Sequence, residues 1–338
     1  MLYVTLDNGY VHVDGDTVAV MVGNETKGRF PGHLLESIVC FGNTTVSTPL
    51  IAYCGERGIS LAFFSEFGRF MGRVEGPIRG NVLLRTRQYA VIGDETLSAA
   101  IASAIVLAKI ANCRAILLRA ARESGEKRQH QAGRLHDAAA KLGTLTELIT
   151  DTTSLDTIRG VEGIAAQTYF SVFQDMIRVN TDLFDFRGRS RRPPQDPVNA
   201  VLSFLYALLA HDYRSALEGV GLDPYAGFLH ALRPGRPSLA LDMMEELRAP
   251  LCDRLALSLI NLRMLSDTDF TATPTGVFLN DKGRKQVLSS WQSRKRETIS
   301  HDFLHETPPI GLLSHLQSQL MARYIRGDLE SYPPFLWR

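Results

Sequence analysis

The sequence predicts an α+β protein, a small N-terminal β domain followed by a larger all-α domain, and three observations carry that expectation. Up to residue 76, short apolar or alternating runs are separated by turn-forming tripeptides, the pattern of strands. From residue 83 to residue 338, apolar residues recur at helical spacing instead. Gly76-Pro77 and Gly80-Asn81 stand where the period changes, so residues 77–82 read as a linker.

The runs Leu2–Leu6, Tyr10–Val13 and Thr17–Val22 are divided by Asp7-Asn8-Gly9 and Asp14-Gly15-Asp16, residues that tolerate hairpin turns. Ser37–Cys40 and Leu61–Phe64 add two further strands, with a short helix over Pro49–Glu56 ended by Gly58. In the second part, amphipathic helices are expected over Thr96–Arg122, His130–Leu148, Val161–Val179, Pro197–Ala210 and Pro250–Ser266. Asp182–Pro197 holds Pro193-Pro194 and cannot be a regular helix, so it reads as a loop on a functional face. A second, shorter loop, His230–Pro237, contains Arg233-Pro234-Gly235-Arg236-Pro237 and opens a helix for which Ser238 is the expected N-cap.

Composition narrows the class. With 45% hydrophobic and 22% charged residues the chain has the balance of a soluble globular protein. No signal-peptide pattern opens it, and the most apolar stretch, Ala99–Ala111, is broken by Ser103 and Lys109, which argues against a membrane span. Cys40, Cys54, Cys113 and Cys252 are scattered, as expected for reduced thiols in a cytoplasmic protein. Net charge is only +1, yet the charge is segregated. Six arginines face two acids between Arg57 and Gln88, Arg187, Arg189, Arg191 and Arg192 fall within six residues, and Lys282–Arg296 holds six basic residues and no acid. Such clusters are either solvated faces or local positive surface for an anionic partner, and three together favour the partner.

Three places put metal-type ligands beside tightly packing residues. Glu162 lies among Val161, Gly163 and Ala165, with Tyr169 returning to the same helix face; the plain alternative is a solvated acid near a helix N-terminus. His230 ends Gly227-Phe228-Leu229-His230, where a satisfied core histidine is the plain alternative. Asp242 and Glu245, three apart, share a helix face, or else form an acidic turn partnered by Arg248. A histidine with two or three carboxylates suits Mg²⁺ or Mn²⁺, the imidazole tilting the choice toward Mn²⁺. No nucleophile elbow or phosphate-binding loop motif is present.

Taken in order, these segments resemble the CRISPR spacer-acquisition integrase family, that of the first-numbered Cas protein. The resemblance rests on Phe41-Gly42, Gly58-Ile59-Ser60-Leu61 and Gly68-Arg69-Phe70, then the Glu162 motif and Arg191-Arg192-Pro193-Pro194-Gln195-Asp196-Pro197-Val198-Asn199. It continues through Gly221-Leu222-Asp223-Pro224-Tyr225 to His230 and through Arg236-Pro237-Ser238 to Glu246-Leu247-Arg248-Ala249-Pro250. The ending Arg326-Gly327-Asp328-Leu329 to Pro333-Pro334-Phe335-Leu336-Trp337 is similar to the type I-C form. The resemblance implies a helical catalytic domain with metal ligands Glu162, His230 and Glu245, Asp242 being the other candidate for the third position. It implies contacts to double-stranded and branched DNA, for which Arg191, Arg192, Arg284, Lys285 and Tyr169 are the candidates. It further implies a homodimer through residues 1–76 and a small partner, the second-numbered Cas protein, bridging two dimers. The implied reaction joins 3′-hydroxyl ends of captured DNA to the CRISPR array, with an associated nuclease activity. A stand-alone structure-specific nuclease and a non-catalytic DNA-binding scaffold are the rival readings.

Overall fold

The turn tripeptides of the N-terminal region join real strands. A computed structural model describes all positions except 36, 67, 69, 75–81, 151–152, 180–181, 192 and 338, and only the backbone at 127. Most of the expected linker, 77–81, and Arg192 therefore lie outside the described residues. The strands are β1 (Leu2–Val4), β2 (Gly9–Asp14), β3 (Thr17–Val22), β4 (Glu25–Pro31), β5 (Ser37–Phe41) and β6 (Thr45–Val46). Helix α1 (Thr48–Arg57), β7 (Ser60–Phe64) and β8 (Phe70–Val74) follow. Asn8 (φ 51°) and Gly15 (φ 58°) take the left-handed conformation that these turns demand. Two four-stranded sheets result, in the orders β1-β5-β7-β8 and β4-β3-β2-β6. In the first, β1, β5 and β7 run parallel and β8 antiparallel.

Strand β5 explains how the two parts of the chain are joined. All five of its residues are buried, and the two-residue period of a strand sends them alternately to two cores. Ile38 and Cys40 meet Val11, Leu50, Cys54 and Leu61 in the small core between the sheets. Val39 and Phe41, with Ala62 and Phe64, face the large helical core. The β region thus does not close on itself. Its mixed sheet, β1-β5-β7-β8, is the floor of the helical part.

The helical part comprises α2 (Val82–Gly93), α3 (Glu95–Arg122), α4 (Gln129–Leu145), α5 (Leu155–Ser171), α6 (Pro197–Gly219), α7 (Ser238–Met243) and α8 (Glu245–Leu247). A π-helical segment, Arg248–Asp253, leads into α9 (Arg254–Asn261), and the hairpin β9 (Phe270–Thr273) and β10 (Gly276–Leu279) precedes α10 (Asp281–Arg296) and α11 (Leu313–Arg326). The hairpin is a correction to the all-α expectation. Its tip grips the arginine-rich loop, the Val277 N–H donating to the Pro194 carbonyl at 2.9 Å. Helix α5 starts before the expected Val161 because Ser154 Oγ accepts from the Thr157 N–H at 3.3 Å. Pro250 has no N–H to give an α-helical bond, and the backbone widens around it. Ser238 does not cap α7. It is the first helical residue, and its hydroxyl donates to the Ala231 carbonyl at 3.3 Å. Phe41 reaches across to Phe204 of α6, ring centroids 5.8 Å apart. Helix α3 is long and apolar enough to cross a bilayer, but here it is the central helix of the core, with Ile101, Ile105 and Ile110 fully buried. All four cysteines are free and buried.

Candidate metal centre

Lys109 lies midway along α3, among buried apolar residues, and is only 7% exposed. A buried ammonium is costly unless it is paired. Lys109 Nζ donates to Glu162 Oε1 of α5 and stands 2.7 Å from Glu245 Oε2 of α8. Arg248 Nη1 meets the other oxygen, Glu245 Oε1, at 2.8 Å. Burial by itself would raise the Glu245 carboxyl, but Arg248 and Lys109 outweigh it and hold the group down at about 2. The same balance keeps Lys109 charged: burial opposes the charge, and Glu245 and Glu162 raise its pKa.

His230 is set by a different device. Asp242, fully buried on α7, turns Oδ2 to the N–H groups of Phe228 (2.7 Å) and Leu229 (2.9 Å). Its Oδ1 accepts from the His230 N–H at 2.9 Å and lies 2.6 Å from His230 Nδ1. A carboxylate at that distance selects the tautomer with Nδ1–H, leaving the Nε2 lone pair free as a ligand or base. Only glycine permits this approach at position 227, where a Cβ would stand 2.6 Å from Asp242 Oδ2 and 2.7 Å from Leu239 N. Leu239 N–H in turn donates to the Pro224 carbonyl at 2.9 Å, which ties the start of α7 to the loop. Four contacts thus occupy Asp242, so this acid orients the loop and the imidazole, whereas Glu245 faces the other carboxylate.

Among the described residues, no group of three or more His, Cys, Asp or Glu side chains stands close enough to hold a metal ion. Glu162 and Glu245 are brought together, but around an ammonium; His230 stands with Asp242. The donor set still fits a hard divalent cation in kind. Two carboxylates already share one positive charge, and Glu245 Oε2 is buried with an ion pair but no hydrogen bond of good geometry.

The expected DNA contacts divide. Arg191 and Lys285 are exposed. Tyr169 is 2% exposed, its ring edge-on to Phe170 and Phe173, which corrects its assignment as a DNA contact. Arg284 is also buried, donating to the Leu279 carbonyl at 3.1 Å and paired with Asp281, so it secures the start of α10 instead. Arg189 is turned inward as well, onto Asn199 Oδ1 at 2.6 Å. Of the six cations between Lys282 and Arg296, four have carboxylate partners: Lys282, Arg284, Arg294 and Lys295. Composition overstated that patch, because its acids lie just outside the stretch, at Asp281 and Glu297, or on other segments, at Asp269 and Asp212. Lys109 was the residue missed. It entered the sequence only as an interruption of an apolar run, and a lone lysine in a buried helix is itself the signal of a paired charge.

Fold and site define the class first: a two-part α+β protein with a carboxylate pair and an oriented imidazole in its helical half. Residues 2–293 match the family described as CRISPR associated protein Cas1, and the chain belongs to that family. A protein of Rhodospirillum rubrum named CRISPR-associated endonuclease Cas1 2 is 48% identical over 340 residues, covering 100% of this chain and 98% of its own. CRISPR-associated endonuclease Cas1 1 of Chlorobaculum tepidum is 46% identical with the same coverage. Among solved structures, a CAS1 protein from Thermotoga maritima superposes with a TM-score of 0.83 at 21% identity, over 98% of each chain. A casposase bound to integration product gives 0.81 at 20% identity over 100% of this chain and 95% of that one. A chain of a Cas6-RT-Cas1–Cas2 complex gives 0.83 at 24% identity, over 99% of this chain and 36% of that one. At these identities the structures speak for the fold.

Proposed function

We propose that this chain is a metal-dependent DNA endonuclease and integrase that inserts captured DNA into a CRISPR array. The observation that carries this reading is the meeting of two carboxylates from separate helices, Glu162 and Glu245, on one buried cation, beside an imidazole oriented by Asp242. A bound Mg²⁺ or Mn²⁺ would polarise the phosphodiester and favour the ionised form of the attacking hydroxyl. Glu162, Glu245 and His230 Nε2 are the groups to hold it. Asp242 fixes the ring, and the exposed Arg191 and Lys285 face DNA phosphates. In strand transfer, the 3′-oxygen of the incoming DNA forms a new bond to phosphorus, the array strand's P–O bond breaks, and the proton lost by the attacking hydroxyl is matched by one gained by the departing 3′-oxygen. With water as the nucleophile, the same site cuts branched DNA.

The names of the relatives support the endonuclease part, and the casposase likeness is consistent with integration. The assembly proposed is a homodimer through residues 1–76, two dimers bridged by the small second-numbered Cas protein, acting in the cytoplasm; the type I-C form is proposed on the Arg326–Trp337 ending. Sedimentation of the full chain should show a dimer, and a monomer at all concentrations refutes that assembly. Strand transfer of a 3′-hydroxyl duplex into a branched target should require Mn²⁺ or Mg²⁺ and stop in EDTA. Undiminished transfer in EDTA would sink the metal-dependent reading. Cutting of branched DNA without transfer, even with the partner present, would favour the stand-alone nuclease.

A further inference from the structure

We infer that Lys109 is a tethered cation that holds the Glu162–Glu245 pair in the place of the divalent ion and has to leave that place for the ion to bind. The inference rests on the metal-dependent reading above and concerns a residue that the reading does not use. Lys109 Nζ contacts one oxygen of each carboxylate. An ion held by both carboxylates would take up the space between them that the ammonium now fills, so ammonium and ion would compete for one position.

The charges point the same way. Lys109 and Arg248 offset Glu162 and Glu245, so the buried set is formally neutral as it stands. Adding a divalent ion while Lys109 stays beside it would leave two uncompensated positive charges in a low-dielectric site. Arg248 keeps its own oxygen of Glu245, so the lysine is the cation that must yield. Its flexible four-carbon stem allows that, where a planar guanidinium would not. The exit lies toward Glu162, whose side chain is 25% exposed while that of Glu245 is 1% exposed. A DNA phosphate entering from that side supplies a new partner for the displaced ammonium. Lys109 therefore makes the ion bind weakly to the DNA-free protein while keeping the two carboxylates close enough to receive it.

The test is a calorimetric titration of Mn²⁺ into the full-length protein without DNA, comparing wild type with Lys109→Met and Lys109→Arg. Lys109→Met should bind Mn²⁺ at least about tenfold more tightly, because the competing charge is gone. Lys109→Arg, which keeps the charge, should bind no more tightly than wild type. In EDTA, Lys109→Met should melt below wild type, since its carboxylates repel, and Mn²⁺ should raise its melting temperature by more than it raises that of wild type. If Lys109→Met fails to fold, Lys109→Gln is read by the same criteria. Equal or weaker Mn²⁺ binding by the neutral variant overturns the inference and leaves the metal reading standing. No Mn²⁺ binding by any of these proteins overturns both.

Discussion

Glu245 and Glu246 are consecutive in sequence, both buried, and serve opposite sides of the helical part. Glu245 sits between Lys109 and Arg248 and is held at about 2. Glu246 turns to the C-terminal tail, where Oε1 accepts from Tyr332 Oη at 2.5 Å and Oε2 accepts from the Phe335 N–H at 2.5 Å and from Gln317 Nε2 at 3.1 Å. Three good donors surround it, yet burial pushes it up to about 7. Helix α3 supplies a partner to each side: one turn beyond Lys109, Asn112 Nδ2 donates to the Glu246 carbonyl at 2.7 Å and to the Phe335 carbonyl at 2.9 Å. Burial acts upward on both carboxyls, and full positive charges reverse it where neutral dipoles do not. The first side is ionic and its cation can be exchanged. The second is a latch of neutral hydrogen bonds, with nothing in it to exchange.

The largest effects should fall on the ionic side. Glu162→Ala, His230→Ala and Glu245→Ala should each reduce strand transfer by about 10³-fold or more, whereas Glu246→Gln should leave it within a few fold. Glu245→Ala also strands the buried Arg248 and leaves Lys109 with Glu162 alone, and should cost about 3 kcal/mol of stability, measured by urea unfolding, against less for Glu162, whose side chain is 25% exposed. Should Glu246→Gln abolish transfer while Glu245→Ala retains it, the division between the two sides is wrong.

Asp242→Asn comes next. An asparagine keeps one oxygen for the backbone N–H groups but cannot impose the Nδ1–H tautomer with a full charge, so activity should fall by about 10–100-fold without vanishing. The variant should remain folded, as judged by circular dichroism. Loss of all transfer in Asp242→Asn together with activity in Glu245→Ala would move the third ligand to Asp242.

This part of the site was legible in the sequence for a physical reason. The three-residue spacing of Asp242 and Glu245 and the twelve-residue return from His230 to Asp242 are local features, and a short chain segment could satisfy them alone. What the sequence did not show were partners brought from afar. Lys109 comes from a helix 53 residues before Glu162, and the latch joins Asn112 to Trp337 across 225 residues. The fold divides likewise. Strands with alternating or continuous apolar runs were readable, whereas β4, with its largely exposed Glu25–Pro31, and two-residue β6 carry no apolar pattern. Helix α10 was hidden by its run of basic residues, some of which answer carboxylates on other elements, as Lys295 answers Asp212 at 2.6 Å.

The smallest effect, and the sharpest for the comparison, is the pH dependence of the latch. The Glu246 carboxyl lies at about 7 in the folded chain against an ordinary 4.5. Below about pH 4.5 the folded and unfolded chains both hold the proton, and the group contributes no slope. Between about 4.5 and 7 the unfolded chain releases it while the folded chain keeps it, so stability falls as pH rises, by about 3 kcal/mol in all. Above that window the loss is complete and constant. Glu245 acts in the opposite sense and elsewhere: its depressed value stabilises the fold above about 4.5 and is lost as pH falls toward 2. Glu246→Gln imitates the protonated acid, its oxygen facing the Phe335 N–H and its amide facing Tyr332 Oη, which can accept as well as donate. Urea unfolding of both proteins at several values between pH 5 and 8 isolates the effect, because other titrating groups, such as Asp253 raised by burial to about 6, are common to both and cancel. Wild type should lose stability relative to Glu246→Gln as pH rises through the window and track it in parallel above pH 8. A constant difference from pH 5 to 8 would mean that the three donors outweigh burial after all, and that Glu246 is as ionised as its neighbour.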